Sequence, residues 1–165
     1  MWLLSKLLRA SCTKLFEFLI SNFPLPMSLP IERQEVIRRT LGGIADPHER
    51  LSVAMGWKTD LRPLTEEERT EEYRVRGCVS RVWLAAEMQG GRCRFRMDAE
   101  SPLVRGLVGM LCGIYDGATP EEVAMEEPVV MEELGLLKNL SPTRQNGLAA
   151  VRRALVEFAS KEMVG

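Results

Sequence analysis

The segment "SRVWLAAEMQGGRCRFRMD", residues 80–98, constrains the fold of this chain more than any other stretch. It alternates with a period of two on both sides of Gly90-Gly91, and a glycine pair between two alternating runs is a hairpin signal. On the first run Val82, Leu84, Ala86 and Met88 share one face, with Arg81, Trp83, Ala85 and Glu87 on the other. On the second run Cys93, Phe95 and Met97 point one way and Arg94, Arg96 and Asp98 the other. The pattern therefore makes Cys93 a core residue. "YRVRG", residues 73–77, also alternates and reads as a further short strand. A small, mostly antiparallel sheet of three strands is expected.

Everything flanking this block has the helical period. "LPIERQEVIRRTLGG" carries Pro30 at a first-turn position, an apolar face through Ile37, Leu41 and Ile44, and a stop at Gly42-Gly43. "DPHERLSVAMGW" offers Asp46 as N-cap, Pro47 at N1 and Glu49 to complete a capping box, which leaves His48 exposed in the first turn. "DLRPLTEEERTEE" is polar and turn-like. After the hairpin, "SPLVRGLVGMLCGIYDG" has Leu103, Leu107, Met110, Leu111 and Ile114 at helical spacing and encloses Cys112. "TPEEVAME" is a capped turn with Thr119 and Glu122 in the capping-box positions, "PVVMEELG" is a second short helix, and "SPTRQNGLAAVRRALVEFASK" is a longer helix with Leu148, Val151, Leu155 and Phe158 on one face. Helices, a small meander and helices again make an α+β fold, with several helices packed against the sheet.

A chain of 165 residues, 45% hydrophobic and 27% charged, has the composition of a globular domain with its own core. Its net charge of -1 gives no electrostatic case for nucleic acid or a membrane surface. Residues 1–26 are apolar but interrupted by Lys6, Arg9, Lys14 and Glu17, and Pro24, Pro26 and Pro30 break the uncharged stretch that follows, so the segment does not read as a spanning helix. Residues 1–26 are read as an N-terminal extension, either an amphipathic or targeting segment or an upstream extension of the reading frame with Met27 as the native start, the second being favoured, and 27–165 as the domain. Removing the extension is expected to leave the fold unchanged.

Cys12, Cys78, Cys93 and Cys112 are the cysteines. None are paired as C-x-x-C and His48 is the sole histidine, a pattern that speaks against a structural zinc site. Free thiols in a reducing compartment are expected. Cys78 stands apart: it follows Gly77, lies on a turn rather than an apolar face, and has Arg74, Arg76 and Arg81 around it. Positive charge favours a thiolate. A Cys–His pair would need His48 from a separate helix, and a dithiol couple has no second cysteine nearby. A lone thiolate that accepts an atom from another protein needs neither.

"VRGCVSRVWL" resembles the reactive-cysteine segment of the SufE family, the sulfur acceptors of iron–sulfur cluster assembly. "RMDAESPLVRGLVGMLCGIYDGATPEEV" and "LGLLKNLSPTRQNGLAAV" resemble later segments of that family in the same order, and the likeness runs from about Leu29 to about Phe158. Asp98-Ala99-Glu100 departs from the usual D-S-[DE] by losing the hydroxyl. The resemblance implies the α+β fold shared with iron–sulfur scaffold proteins. It implies that Cys78 accepts sulfane sulfur as a persulfide, supported by Gly77, Arg144, Arg76 and Arg81, with Arg144 matching a family arginine. It also implies a SufS-type cysteine desulfurase as donor and an iron–sulfur scaffold complex as recipient. Pyridoxal phosphate (PLP) would belong to the donor, so no cofactor or metal of its own is expected, and the chain would be a cytoplasmic carrier rather than an independent catalyst. A cluster scaffold and a thiol-independent desulfurase regulator are the alternatives. Cys78 is expected to rest in a shallow apolar pocket and to swing outward about Gly77 when the donor docks.

Overall fold

The structure is a computed structural model and describes residues 28–164. The proposed extension, residues 1–26, lies outside the described residues. The chain forms α1 (Leu29–Gly42), α2 (Pro47–Met55), β1 (Val82–Gln89), β2 (Arg92–Ala99), α3 (Pro102–Tyr115), α4 (Pro120–Met125), α5 (Val130–Glu133) and α6 (Pro142–Val164). The α+β architecture follows the periodicity of the sequence.

β1 and β2 pair antiparallel, with Val82 opposite Ala99 and Gln89 opposite Arg92. Gly90 and Gly91 close the hairpin at φ 59° and 75°. Both central residues of the turn are left-handed, the twist that two-residue hairpins need and that a side chain resists. Cys93, Phe95 and Met97 all point into the core, as their alternation predicts.

The expected third strand does not form: among the described residues the sheet has two strands. Residues 73–75 make only an isolated antiparallel bridge, Arg74 to Trp83, with Leu84 N–H donating to Tyr73 O at 2.8 Å and Val75 N–H to Val82 O at 2.9 Å. The ladder stops because Gly77 turns the chain at φ 92°. Alternation was too short a signal to distinguish a bridge from a strand.

α3 lies across one face of the hairpin and is the centre of the core, with Leu107, Val108, Met110, Leu111, Cys112, Ile114 and Tyr115 at 2% exposure or less. α6 supplies Val151, Leu155 and Ala159 to the same core, and Phe158 meets Phe95 edge-on at 6.1 Å between ring centres. The opposite face of the hairpin is covered too. Leu64, from the stretch read as polar and turn-like, packs on Trp83 and Ala85 with Tyr73 beside them. Asp46 caps α2 by accepting from Glu49 N–H, and Thr119 with Glu122 forms the full capping box of α4.

Candidate functional site

Residues 76–81 form a loop whose two ends are held together by the Val75–Val82 hydrogen bond. The loop lies on the first turns of α6. That helix can take a backbone so close because it shows small residues there: a Cβ on Gly77 would stand 3.6 Å from Ala150 Cβ, and a Cβ on Gly147 would stand 3.1 Å from Cys78 Sγ. The left-handed Gly77 aims the next side chain inward, and Cys78 is half-buried against the main core. Its thiol donates to Gly147 O at 3.3 Å. The adjacent Val79 is 75% exposed. Cys78 is thus neither sealed nor free.

Burial pushes the Cys78 thiol up, because it disfavours the charged thiolate, and the Arg153 guanidinium opposes this. Arg153 lines a groove beside the loop together with Arg74, Arg76, Ala150, Ala154 and Glu157. The cation acting on the thiol is therefore Arg153, which sequence reasoning missed. The arginines next to Cys78 in sequence face carboxylates instead. Arg74 pairs with Glu71 at 2.7 Å, Arg76 points outward with Glu71 at 3.8 Å, and Arg81 pairs with Glu100 at 2.5 Å while lying over the Trp83 ring. Sequence neighbours in an extended segment diverge, whereas Arg153 comes from the helix against which the loop rests. The signal that could have found it is the stripe Gly147, Ala150, Ala154: small residues at helical spacing mark where a backbone docks, and Arg153 flanks that stripe.

Arg144 is exposed and lies one turn before Gly147 on α6, at the rim of a small apolar pocket formed by Leu103, Val104, Leu107, Leu140 and Leu148. Trp83 is 6% exposed and sits between Arg69 and Arg81, whose guanidinium carbons are 5.9 and 6.0 Å from the ring centre; its role is packing. His48 is exposed in the first turn of α2.

The other two described cysteines are different in kind. Cys93 and Cys112 are wholly buried. Burial, with Glu162, Glu121 and Asp116 adding to it, pushes the Cys93 thiol up to about 11, and Cys112 is pushed higher still by burial first and Asp116 second. Neither can serve as a thiolate near neutral pH. Among the described residues no group of three or more His, Cys, Asp or Glu side chains stands together as metal ligands would, and no helix is long and apolar enough to cross a membrane.

Comparison with known proteins places this chain among relatives. Residues 35–159 match the family model described as "SufE: Fe-S metabolism associated domain". The chain is 32% identical over 128 residues to an uncharacterized SufE-like protein of Synechocystis, spanning 78% of this chain and 77% of that one. It is 36% identical over 104 residues to an uncharacterized SufE-like protein of Rhizobium etli, covering 60% and 70% of the two chains. It is 40% identical over 81 residues to SufE-like protein 2, chloroplastic, of Arabidopsis thaliana, covering 48% of this chain and 31% of that protein. The fold is similar to the solution structure of a hypothetical protein from Thermus thermophilus, with a TM-score of 0.66, 21% identity, and coverage of 81% of this chain and 97% of that one.

Proposed function

Because the chain belongs to the SufE family, a domain associated with Fe–S metabolism, we propose that it is a sulfur acceptor whose carrier atom is Cys78 Sγ. The observation that carries this reading is the contrast among the described thiols. Cys93 and Cys112 are sealed in the core, whereas Cys78 sits on a loop, partly open, with the Arg153 charge favouring its thiolate. The donor is a protein persulfide, R–S–SH, held on a PLP-dependent cysteine desulfurase. Cys78 first loses its proton to water, with Arg153 favouring the anion. The thiolate then attacks the terminal sulfur of the donor. A new Sγ–S bond forms, the donor S–S bond breaks, and the donor's thiolate leaves, so no external oxidant or reductant is consumed. The loaded Cys78 passes the sulfur to an iron–sulfur scaffold by the same exchange.

In this role the chain turns over stoichiometrically with its donor rather than as an independent catalyst. The burial of Cys93 and Cys112 argues against the scaffold alternative, since a cluster needs several thiolates or equivalent ligands converging on one site.

The test is mass spectrometry of the protein after incubation with a purified desulfurase and free cysteine. The Cys78 peptide should gain about 32 Da, one sulfur atom. Cys78→Ser should abolish both that gain and any stimulation of the desulfurase while changing unfolding free energy by less than about 1 kcal/mol, because a partly exposed loop position contributes little to the core. A gain appearing on Cys93 or Cys112 instead, or a Cys78→Ser protein that fails to fold, would sink the reading.

A further inference from the structure

From the contacts of Cys78 we infer that Gly147 is a positioning residue that holds the empty carrier and releases the loaded one. The inference rests on the reading of Cys78 as a persulfide carrier and concerns what loading does to the resting contact. Two features of the contact carry it. First, the thiol is tethered by one hydrogen bond, from its S–H to the Gly147 carbonyl at 3.3 Å. That bond exists only while Sγ bears a hydrogen. In the persulfide Sγ is bonded to carbon and to sulfur and has no proton to give, and the terminal sulfur, more acidic than a thiol, is an anion at neutral pH that a carbonyl oxygen cannot bind. Loading therefore removes the donor from the tether. Second, the thiol lies close against residue 147, nearer than a side chain there would comfortably allow. A Cβ there would stand 3.1 Å from Sγ and 3.6 Å from Cys78 Cβ. The seat is fitted to a single sulfur, and on the Gly147 side there is no room for a second one, whose bond to Sγ alone spans about 2.05 Å.

The loaded side chain consequently swings away from Gly147. The cation that acts on this side chain is Arg153, at the groove beside the loop. An anionic terminal sulfur moves toward that guanidinium and toward solvent, with the left-handed Gly77 next to it in the chain as the pivot. Empty and loaded protein thus present different surfaces at residues 76–81. This gives transfer a direction: a spent carrier retracts its thiol, and a charged one offers its sulfur.

The inference is tested without any desulfurase. Cys78 is loaded with sodium polysulfide, in which its thiolate takes one sulfur and the polysulfide leaves shortened by one. Alkylation by iodoacetamide is then timed for the thiol and the persulfide of the full chain, each relative to the same form of the synthetic peptide RVRGCVSRVWL. The folded protein should slow alkylation of the thiol about fivefold or more, the scale set by one neutral hydrogen bond with its packing. The persulfide should lose most of that shielding. Gly147→Ala should reduce the shielding of the thiol and leave the persulfide rate unchanged, a split that general loosening of the fold would not produce. A persulfide shielded as well as the thiol in the unaltered protein would overturn the inference, and that comparison needs no variant. The two readings fail separately. Loading by polysulfide but by no desulfurase removes the proposed donor and leaves the seat standing. Desulfurase loading with a persulfide that stays shielded removes the seat and leaves the carrier. A Cys78 that takes sulfur from neither source ends both.

Discussion

Cys78 and Cys93 carry the same chemical group in opposite surroundings, and each surrounding makes a prediction. The Cys78 thiol is pushed up by partial burial and pulled back by Arg153. Removing the cation leaves the burial effect unopposed, so Arg153→Gln should move the midpoint of the Cys78 alkylation profile to higher pH. Because the thiolate is the reactive form, the variant should react more slowly at neutral pH and converge with the parent above the shifted midpoint. Arg153→Lys should restore most of the rate. A profile that does not move would show that Arg153 is too well screened to matter. Cys93 is wholly buried opposite Met88, its Sγ 3.8 Å from the methionine sulfur. Cys93→Ser places a hydroxyl in that apolar setting and should lower unfolding free energy by about 1–3 kcal/mol, measured by urea titration, with sulfur uptake at Cys78 retained.

Among the elements, the tightest joint is where α2 ends on α3. A Cβ on Gly106 would meet Met55 O at 2.5 Å and Ala54 O at 2.6 Å. Those are the last carbonyls of α2, and backbone cannot step aside as a flexible side chain can. Two opposing effects act on Gly106→Ala. The helix gains up to about 1 kcal/mol of intrinsic propensity, whereas forcing a methyl group into a closed crossing costs about 1–3 kcal/mol and often more. The clash here is with backbone, so the larger cost should prevail and the variant should unfold at lower denaturant than the parent. A stabilised Gly106→Ala protein would mean that α2 and α3 do not pack as described. The same reasoning separates this glycine from Gly43, where a Cβ would meet nothing within 4 Å and alanine should be tolerated.

At the scale of the whole molecule, one carboxylate ties together segments that are distant in sequence. Asp98, 6% exposed at the end of β2, takes Arg105 of α3 at 2.8 Å and also pairs with Arg69 of the segment that covers the outer face of the hairpin. Arg69 in turn lies over Trp83. Asp98→Asn keeps the shape but removes the charge that gathers both arginines. Breaking a fully buried pair costs about 3–5 kcal/mol, and the partial exposure of both arginines brings the expected loss down to about 1–3 kcal/mol. The loss should be local first: limited trypsin digestion should cut faster at Arg69 while the hairpin and α6 remain protected. Uniform loss of protection would show instead that the outer layer and the core unfold as one unit.

The helices, the hairpin and its glycine turn, the core placement of Cys93 and the singularity of Cys78 are legible in the sequence, because each of these is encoded within a few residues. Period, caps and turn chemistry act over one or two turns of chain. The third strand does not follow from local pattern because pairing depends on a partner, and residues 73–75 find one for a single bridge before Gly77 diverts them. It takes the folded chain to bring Leu64 over the second face of the sheet, to turn Arg76 and Arg81 to Glu71 and Glu100, and to set Cys78 against Gly147 within the influence of the Arg153 charge. Cys78 and Gly147 are separated by 69 positions. Nothing local ties them together; they meet because α6 folds back over the start of β1 to bury its apolar stripe, and small residues on that helix let the loop settle against it.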